Sequence, residues 1–174
     1  MPYALTLTLE KVKAYKLTEK KDDELYLEVH ANYRQYTANQ ADTKESTKRH
    51  PEEKYWQIQE NQEMKLDKQI FGRASLADCK LLVCIHEQDK AGLMKLLPGK
   101  EDDFIGEFYI MTSEDGPSLN ITLSGGDYVT EIGNTPDSEG RFQVRMNGGN
   151  SDYVFSFLLQ SKQGTATQRP LPQG

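Results

Sequence analysis

Leu5-Thr6-Leu7-Thr8-Leu9 alternates an apolar residue with threonine, which is the period of a strand with one buried face. The same period returns at Leu25, Leu27 and Val29, set between Tyr26, Glu28 and His30, and again at Met64 and Leu66, set between Lys65 and Asp67. Leu81-Leu82-Val83-Cys84-Ile85 is apolar without interruption, as expected of a central strand covered on both faces or ending beneath other structure. Phe104 to Met111, Leu119 to Leu123, Phe142 to Met146 and Tyr153 to Leu159 complete the series. Between the last two lies Asn147-Gly148-Gly149-Asn150, where glycine permits positive φ and a hairpin is expected. Sustained helical periodicity is nearly absent. These patterns predict an all-β fold, an antiparallel β-sandwich of about eight strands.

A chain of 174 residues is long enough to bury a self-sufficient core. No fixed-period repeat divides it, so residues 1–163 are expected to form a single sandwich domain. The segment 164–174, with Pro170 and Pro172, reads as a disordered tail, and the polar, mixed-charge stretch from Thr37 to Lys54 reads as a long mobile loop.

The formal net charge of −6 opposes binding to a phosphate backbone, so no nucleic-acid partner is expected. No apolar run approaches the roughly 18 residues of a membrane-spanning helix. Cys79 and Cys84 are the only cysteines, and Met1 is followed by no basic-then-apolar leader; the expectation is a soluble, cytoplasmic protein without a disulfide framework. Cys79 and Cys84 are an odd number of positions apart, so on one strand they face opposite sides and, with His86, make a poor zinc set. Cys84 reads as a buried core residue.

Chemistry concentrates around one inter-strand connection. Ile85-His86-Glu87-Gln88-Asp89 leads into it and Asp102-Asp103-Phe104-Ile105-Gly106 leads out, placing carboxylates at both of its ends. A hard cation such as calcium takes six to eight oxygen ligands from such loops; the plainer reading is a solvated acidic loop. Between the two ends, Leu93, Met94, Leu96 and Leu97 form an apolar insertion flanked by lysines. Exposed, these side chains would enter a bilayer; the alternative is a short helical turn whose leucines cap the open end of the sandwich or dock a protein partner. Lys44, Lys48, Arg49, His50 and Lys54 are interleaved with Glu45, Glu52 and Glu53, which reads as a solvated segment rather than a phosphoinositide patch.

Taken together, several segments resemble the C-two domain, a calcium- and phospholipid-binding β-sandwich family. Leu81 to Asp89 is similar to that family's strand leading into an acidic-x-acidic motif, with Glu87 in place of the usual first aspartate. Asp103-Phe104-Ile105-Gly106 is similar to its Asp-Phe-Ile-Gly strand entry. Asp22 to Val29 is similar to its Asp-Pro-Tyr-Val strand start without the proline, and Pro51 followed by Trp56 is a looser likeness to its Pro-x-Trp segment. The resemblance covers roughly residues 3–125. It implies Asp23, Glu87, Asp89 and Asp103 as metal ligands, calcium as the cofactor, and Leu93, Met94, Leu96 and Leu97 as the membrane- or partner-binding tip. The first loop departs from the family: only Glu19 is acidic there, and Lys20 and Lys21 repel a cation.

No catalytic constellation is present: there is no Gly-x-Ser-x-Gly elbow, phosphate-cradling glycine loop or His-Glu-x-x-His pair. The expected function is therefore binding rather than catalysis, with no small-molecule substrate indicated. It is either a peripheral membrane-targeting or regulatory module using calcium, or a calcium-independent protein interaction or scaffold domain, including a subunit of a secretion or effector system.

Overall fold

The computed structural model describes residues 2–17, 22–88, 103–113, 116–123, 129–134, 136–148 and 151–163. Among them the fold is all-β and antiparallel, with ten strands: β1 Tyr3–Lys16, β2 Asp22–Thr37, β3 Gln40–His50, β4 Trp56–Gln59, β5 Glu63–Glu87, β6 Asp103–Ser113, β7 Gly116–Leu123, β8 Val129–Asn134, β9 Arg141–Gly148 and β10 Ser151–Gln163. No helix of the described residues is long and apolar enough to cross a membrane.

The architecture turns on β5. Its first half pairs with β1, from Glu63 opposite Lys13 to Leu76 opposite Tyr3. Its second half pairs with β2, from Leu76 opposite Gln35 to Glu87 opposite Leu25, and with β6 on the other side. One strand thus belongs to two differently composed sheet halves: β3-β2-β5-β6-β7, with β4 along the start of β2, and β5-β1-β10-β9-β8. Ser75, at φ 57°, stands at the junction, next to register shifts in both ladders. Such irregularities bend a strand and let one sheet fold onto itself.

The two halves meet through side chains distant in sequence. Phe108 of β6 packs edge-on against Phe142 of β9 and Phe157 of β10, with ring centroids 6.0 and 5.1 Å apart. Tyr3 of β1 hydrogen-bonds Thr112 of β6. Leu5, Leu7 and Leu9 are fully buried, as are Leu81, Phe108, Ile110, Val144, Met146 and Phe157. The result is a sandwich-like core whose inner faces follow the period-two pattern of the sequence.

Two expectations from the sequence are corrected here. The stretch from Thr37 to Lys54 contains a strand rather than one long loop: β3 runs eleven residues, paired with β2 from Thr37–Gln40 to Leu27–His50. It lies at a sheet edge and most of its side chains are exposed, so backbone pairing holds it and its sequence carries no apolar alternation. Cys84 is buried, but on the face of β5 opposite the core, where its Sγ donates to a Glu107 carboxylate oxygen at 3.4 Å. Cys79 faces the core, and burial pushes both thiols up to about 12, so neither is a ready thiolate at neutral pH. The hairpin expected at 147–150 is present as Gly148 opposite Ser151. The tail 164–174 lies outside the described residues.

Candidate functional site: a carboxylate end

The core face of β2 carries Asp23, Leu25, Leu27 and Val29, and that of β5 carries Val83, Ile85 and Glu87. Because Leu25 pairs with Glu87, Asp23 and Glu87 are diagonal neighbours on one face at one end of the sandwich, a relation that spans roughly 7–8 Å in a sheet. Both are sealed, with Asp23 0% and Glu87 1% exposed. Asp103 stands opposite Glu87 in the β5–β6 ladder. The backbone N–H of Gln88 donates to the Glu24 carbonyl at 2.7 Å, closing the β2–β5 pairing just beyond the site.

These positions follow from alternation. A strand places every second residue on the same face, so the apolar series 25, 27, 29 continues inward to Asp23, and 81, 83, 85 continues to Glu87. The pleat therefore delivers two carboxylates into the interior at the point where the apolar series runs out. A buried carboxylate needs partners, and Tyr153 of β10 supplies one: its phenol O–H donates to an Asp23 oxygen across the sandwich. Tyr153 is itself 0% exposed. In the sequence it reads only as another alternating aromatic, and no local signal marks it as the donor that meets a residue 130 positions away.

Of the expected metal ligands, the structure brings Asp23 and Glu87 onto one face and sets the backbone of Asp103 beside them. Asp89 lies outside the described residues, as do Leu93, Met94, Leu96 and Leu97. Among the described residues no group of three or more His, Cys, Asp or Glu side chains is arranged to hold a metal. Asp23 and Glu87 sit within strands rather than on open loops.

The opposite face of the same sheet end is aromatic and cationic. Tyr26 and His86 stack with centroids 5.1 Å apart, Phe104 meets His86 edge-on at 5.6 Å, and the Arg49 guanidinium lies 4.0 Å from the Tyr26 ring centre. Arg49 also donates to the Gln88 side chain at 3.1 Å. This cluster braces the strand ends that flank the connection 89–102.

No protein-family model matches the chain, and no curated protein matches it at a significant level. The likeness to the C-two family therefore rests on the quoted segments.

Proposed function

We propose that this protein is a C-two-like binding module, not an enzyme, whose carboxylate end takes calcium and whose apolar insertion then engages a membrane surface on the cytoplasmic side. The observation that carries the reading is the convergence of Asp23 and Glu87, sealed on neighbouring strands, at the end of the sandwich from which the connection bearing Asp89, Leu93, Met94, Leu96 and Leu97 departs. Carboxylates gathered at one place repel one another until a cation neutralises them. Calcium accepts mono- or bidentate carboxylates in flexible geometry, so Asp23, Glu87, Asp89 and Asp103 form a chemically suitable set. Neutralising that set removes the repulsion between the loop's acidic base and an anionic bilayer, and the leucines add apolar burial.

The second reading is a calcium-independent interaction domain that presents the same insertion to a protein. The hydrogen bond from Tyr153 to Asp23 favours it, because a carboxylate satisfied by an internal donor needs no metal.

Thermal melting of the whole chain in chelator and then in calcium, with magnesium as control, separates the two. Calcium at about a hundred times its dissociation constant adds about 2.7 kcal/mol, a rise of several degrees for a domain of this size. A calcium-specific rise, abolished by replacing the two carboxylates with their neutral amides, Glu87→Gln and Asp89→Asn, supports the metal reading. Identical melting in chelator and calcium overturns it and leaves the interaction domain.

A further inference from the structure

The edge strand β3 carries a second, unrelated constellation. Along the sequence, lysine, arginine and glutamate alternate so closely from Lys44 to Lys54 that their charges nearly cancel. The pleat undoes that cancellation. Ser46, Lys48 and His50 pair with Ala31, Val29 and Leu27 and so share the inner side of the sheet, whereas Glu45, Thr47 and Arg49 fall on the outer side, where Thr47 meets His30 and Arg49 lies over Tyr26.

On the inner side, β3 and the first half of β5 border a cleft of about 120 Å³ with Val29 at its floor. Its polar lining is Ser46, Lys48 and His50 from β3 with Gln69 and Arg73 from β5. A cleft of that volume has room for a small polar ligand. His50 is 2% exposed, and neither ring nitrogen has a partner of full hydrogen-bond geometry, the Ile70 backbone beside it making only a loose contact, a costly arrangement for a buried polar group. Arg73 is already anchored: Nε donates to the Tyr33 hydroxyl at 3.1 Å and one terminal nitrogen to the Gly72 carbonyl at 2.7 Å. A guanidinium has five donors, so further N–H groups remain for a ligand. Lys48 pairs with Glu52 at 3.1 Å, but both side chains are mostly exposed, and such a pair is weak and exchangeable.

We propose that this cleft binds a phosphate-type oxyanion, with Lys48 and Arg73 holding its charge, Gln69 and Ser46 donating at its sides, and His50 as the innermost donor. An oxyanion supplies a well-formed acceptor for His50 and offsets the excess of cations around it. Burial and the neighbouring Lys48 and Lys68 push the His50 imidazole below its ordinary value, against smaller opposing effects of the Ile70 backbone and Glu52. A bound dianion reverses that bias, so His50 takes up a proton as the ligand enters. The site is independent of the carboxylate end and of its calcium.

The test is NMR of the three histidine rings during titration with inorganic phosphate at constant ionic strength and about pH 7, near the range where imidazole titrates. The expected result is a saturable shift confined to His50, with His30 and His86 as internal controls, and affinity lowered about tenfold by Lys48→Ala, the loss of one charge-assisted hydrogen bond. Lys48 is exposed, so this variant keeps the fold. Phenyl phosphate run in parallel distinguishes the sources: tighter binding than inorganic phosphate identifies a phosphate monoester, and equal binding identifies the free ion. His50 signals that do not move, that move equally with sodium chloride, or that saturate unchanged in Lys48→Ala overturn the proposal.

Discussion

The β1–β10 seam and the β2–β3 wing are ladders of nearly equal length with opposite surroundings. The seam runs from Tyr3 opposite Gln163 to Lys16 opposite Asp152, and its inner residues Leu5, Leu7, Leu9, Tyr153, Phe155 and Phe157 are at most 1% exposed. The wing runs from Leu27 opposite His50 to Thr37 opposite Gln40, and β3 is mostly exposed. The seam is held by apolar burial, each large side chain contributing about 1.5–3 kcal/mol; the wing is held by backbone pairing, with exposed side-chain contacts such as Lys44 to Gln35 at 3.1 Å and the Lys48–Glu52 ion pair that add little each. The comparison teaches that a strand in this protein can be specified without any apolar periodicity, provided a partner strand offers a free edge.

The largest expected effect is at the seam's outer flank. Gly140 has φ +92°, and a Cβ there would run into the Leu159 carbonyl oxygen of β10, while the Leu159 N–H donates to the Gly140 carbonyl at 2.8 Å. Gly140→Ala should cost about 2–4 kcal/mol in denaturant unfolding, because left-handed strain and a backbone clash combine. A change smaller than about 0.5 kcal/mol, the range of ordinary surface substitutions, would mean that the close approach of Gly140 to Leu159 relaxes freely.

Tyr153→Phe should cost about 1–3 kcal/mol by removing one buried, charge-assisted donor from Asp23. The same variant sharpens the functional reading: if calcium sits at Asp23, adding calcium restores part of the loss in the melt, and if the carboxylate is structural, it does not.

At the wing's root, His50 makes stability sensitive to acid. Its imidazole is held below the ordinary value in the folded protein by burial and by Lys48 and Lys68, so the unfolded chain binds the proton more readily. The contribution is fully present above the unfolded value of about 6.5 and is lost as pH falls through the folded one. The groups facing the ring are Lys48 and Glu52 from the wing and Lys68 and Arg73 from β5. Urea midpoints should therefore fall between about pH 6.5 and 5 in the wild type and fall less steeply in His50→Gln; parallel profiles for the two would exclude His50 as the cause.

The smallest effect is at the wing's tip, where the β2–β3 hairpin turns through Ala38 and Asn39, with Ala38 at φ 57°. A first turn residue with positive φ is glycine's position in the hairpin turns that match strand twist. Ala38→Gly should raise stability by about 0.4–1 kcal/mol, measured by the same denaturant midpoint. A loss instead of a gain would mean that the tip is not strained in solution.

Much of the core was legible because burial imprints itself on spacing. Leu5, Leu7 and Leu9, Leu25 to Val29, and Leu81 to Ile85 announce strands and their buried faces, since the inward side chains of these runs are apolar. β3 left no such imprint: edge residues face water, and water accepts lysine, glutamate and threonine alike. The sequence also left no imprint of β4, a four-residue strand, whose pairing with β2 is a long-range fact. Of the carboxylate site, Asp23 and Glu87 were legible as acidic residues at strand ends, and the family resemblance grouped them, but their burial was not legible, because it depends on which strands lie side by side.

By itself, the sequence determined the all-β class, the inward faces of most strands and the chemical character of each segment, since these follow from the two-residue period and from the cost of placing an apolar group in water. The tertiary structure alone decided that β5 serves both sheet halves, that Tyr153 reaches Asp23, and that the pleat sorts the charges of β3 so that Lys48 and His50 face Arg73. Those facts are pairings between residues far apart in the chain, and no local pattern encodes them: they arise from how whole faces fit together once the core closes.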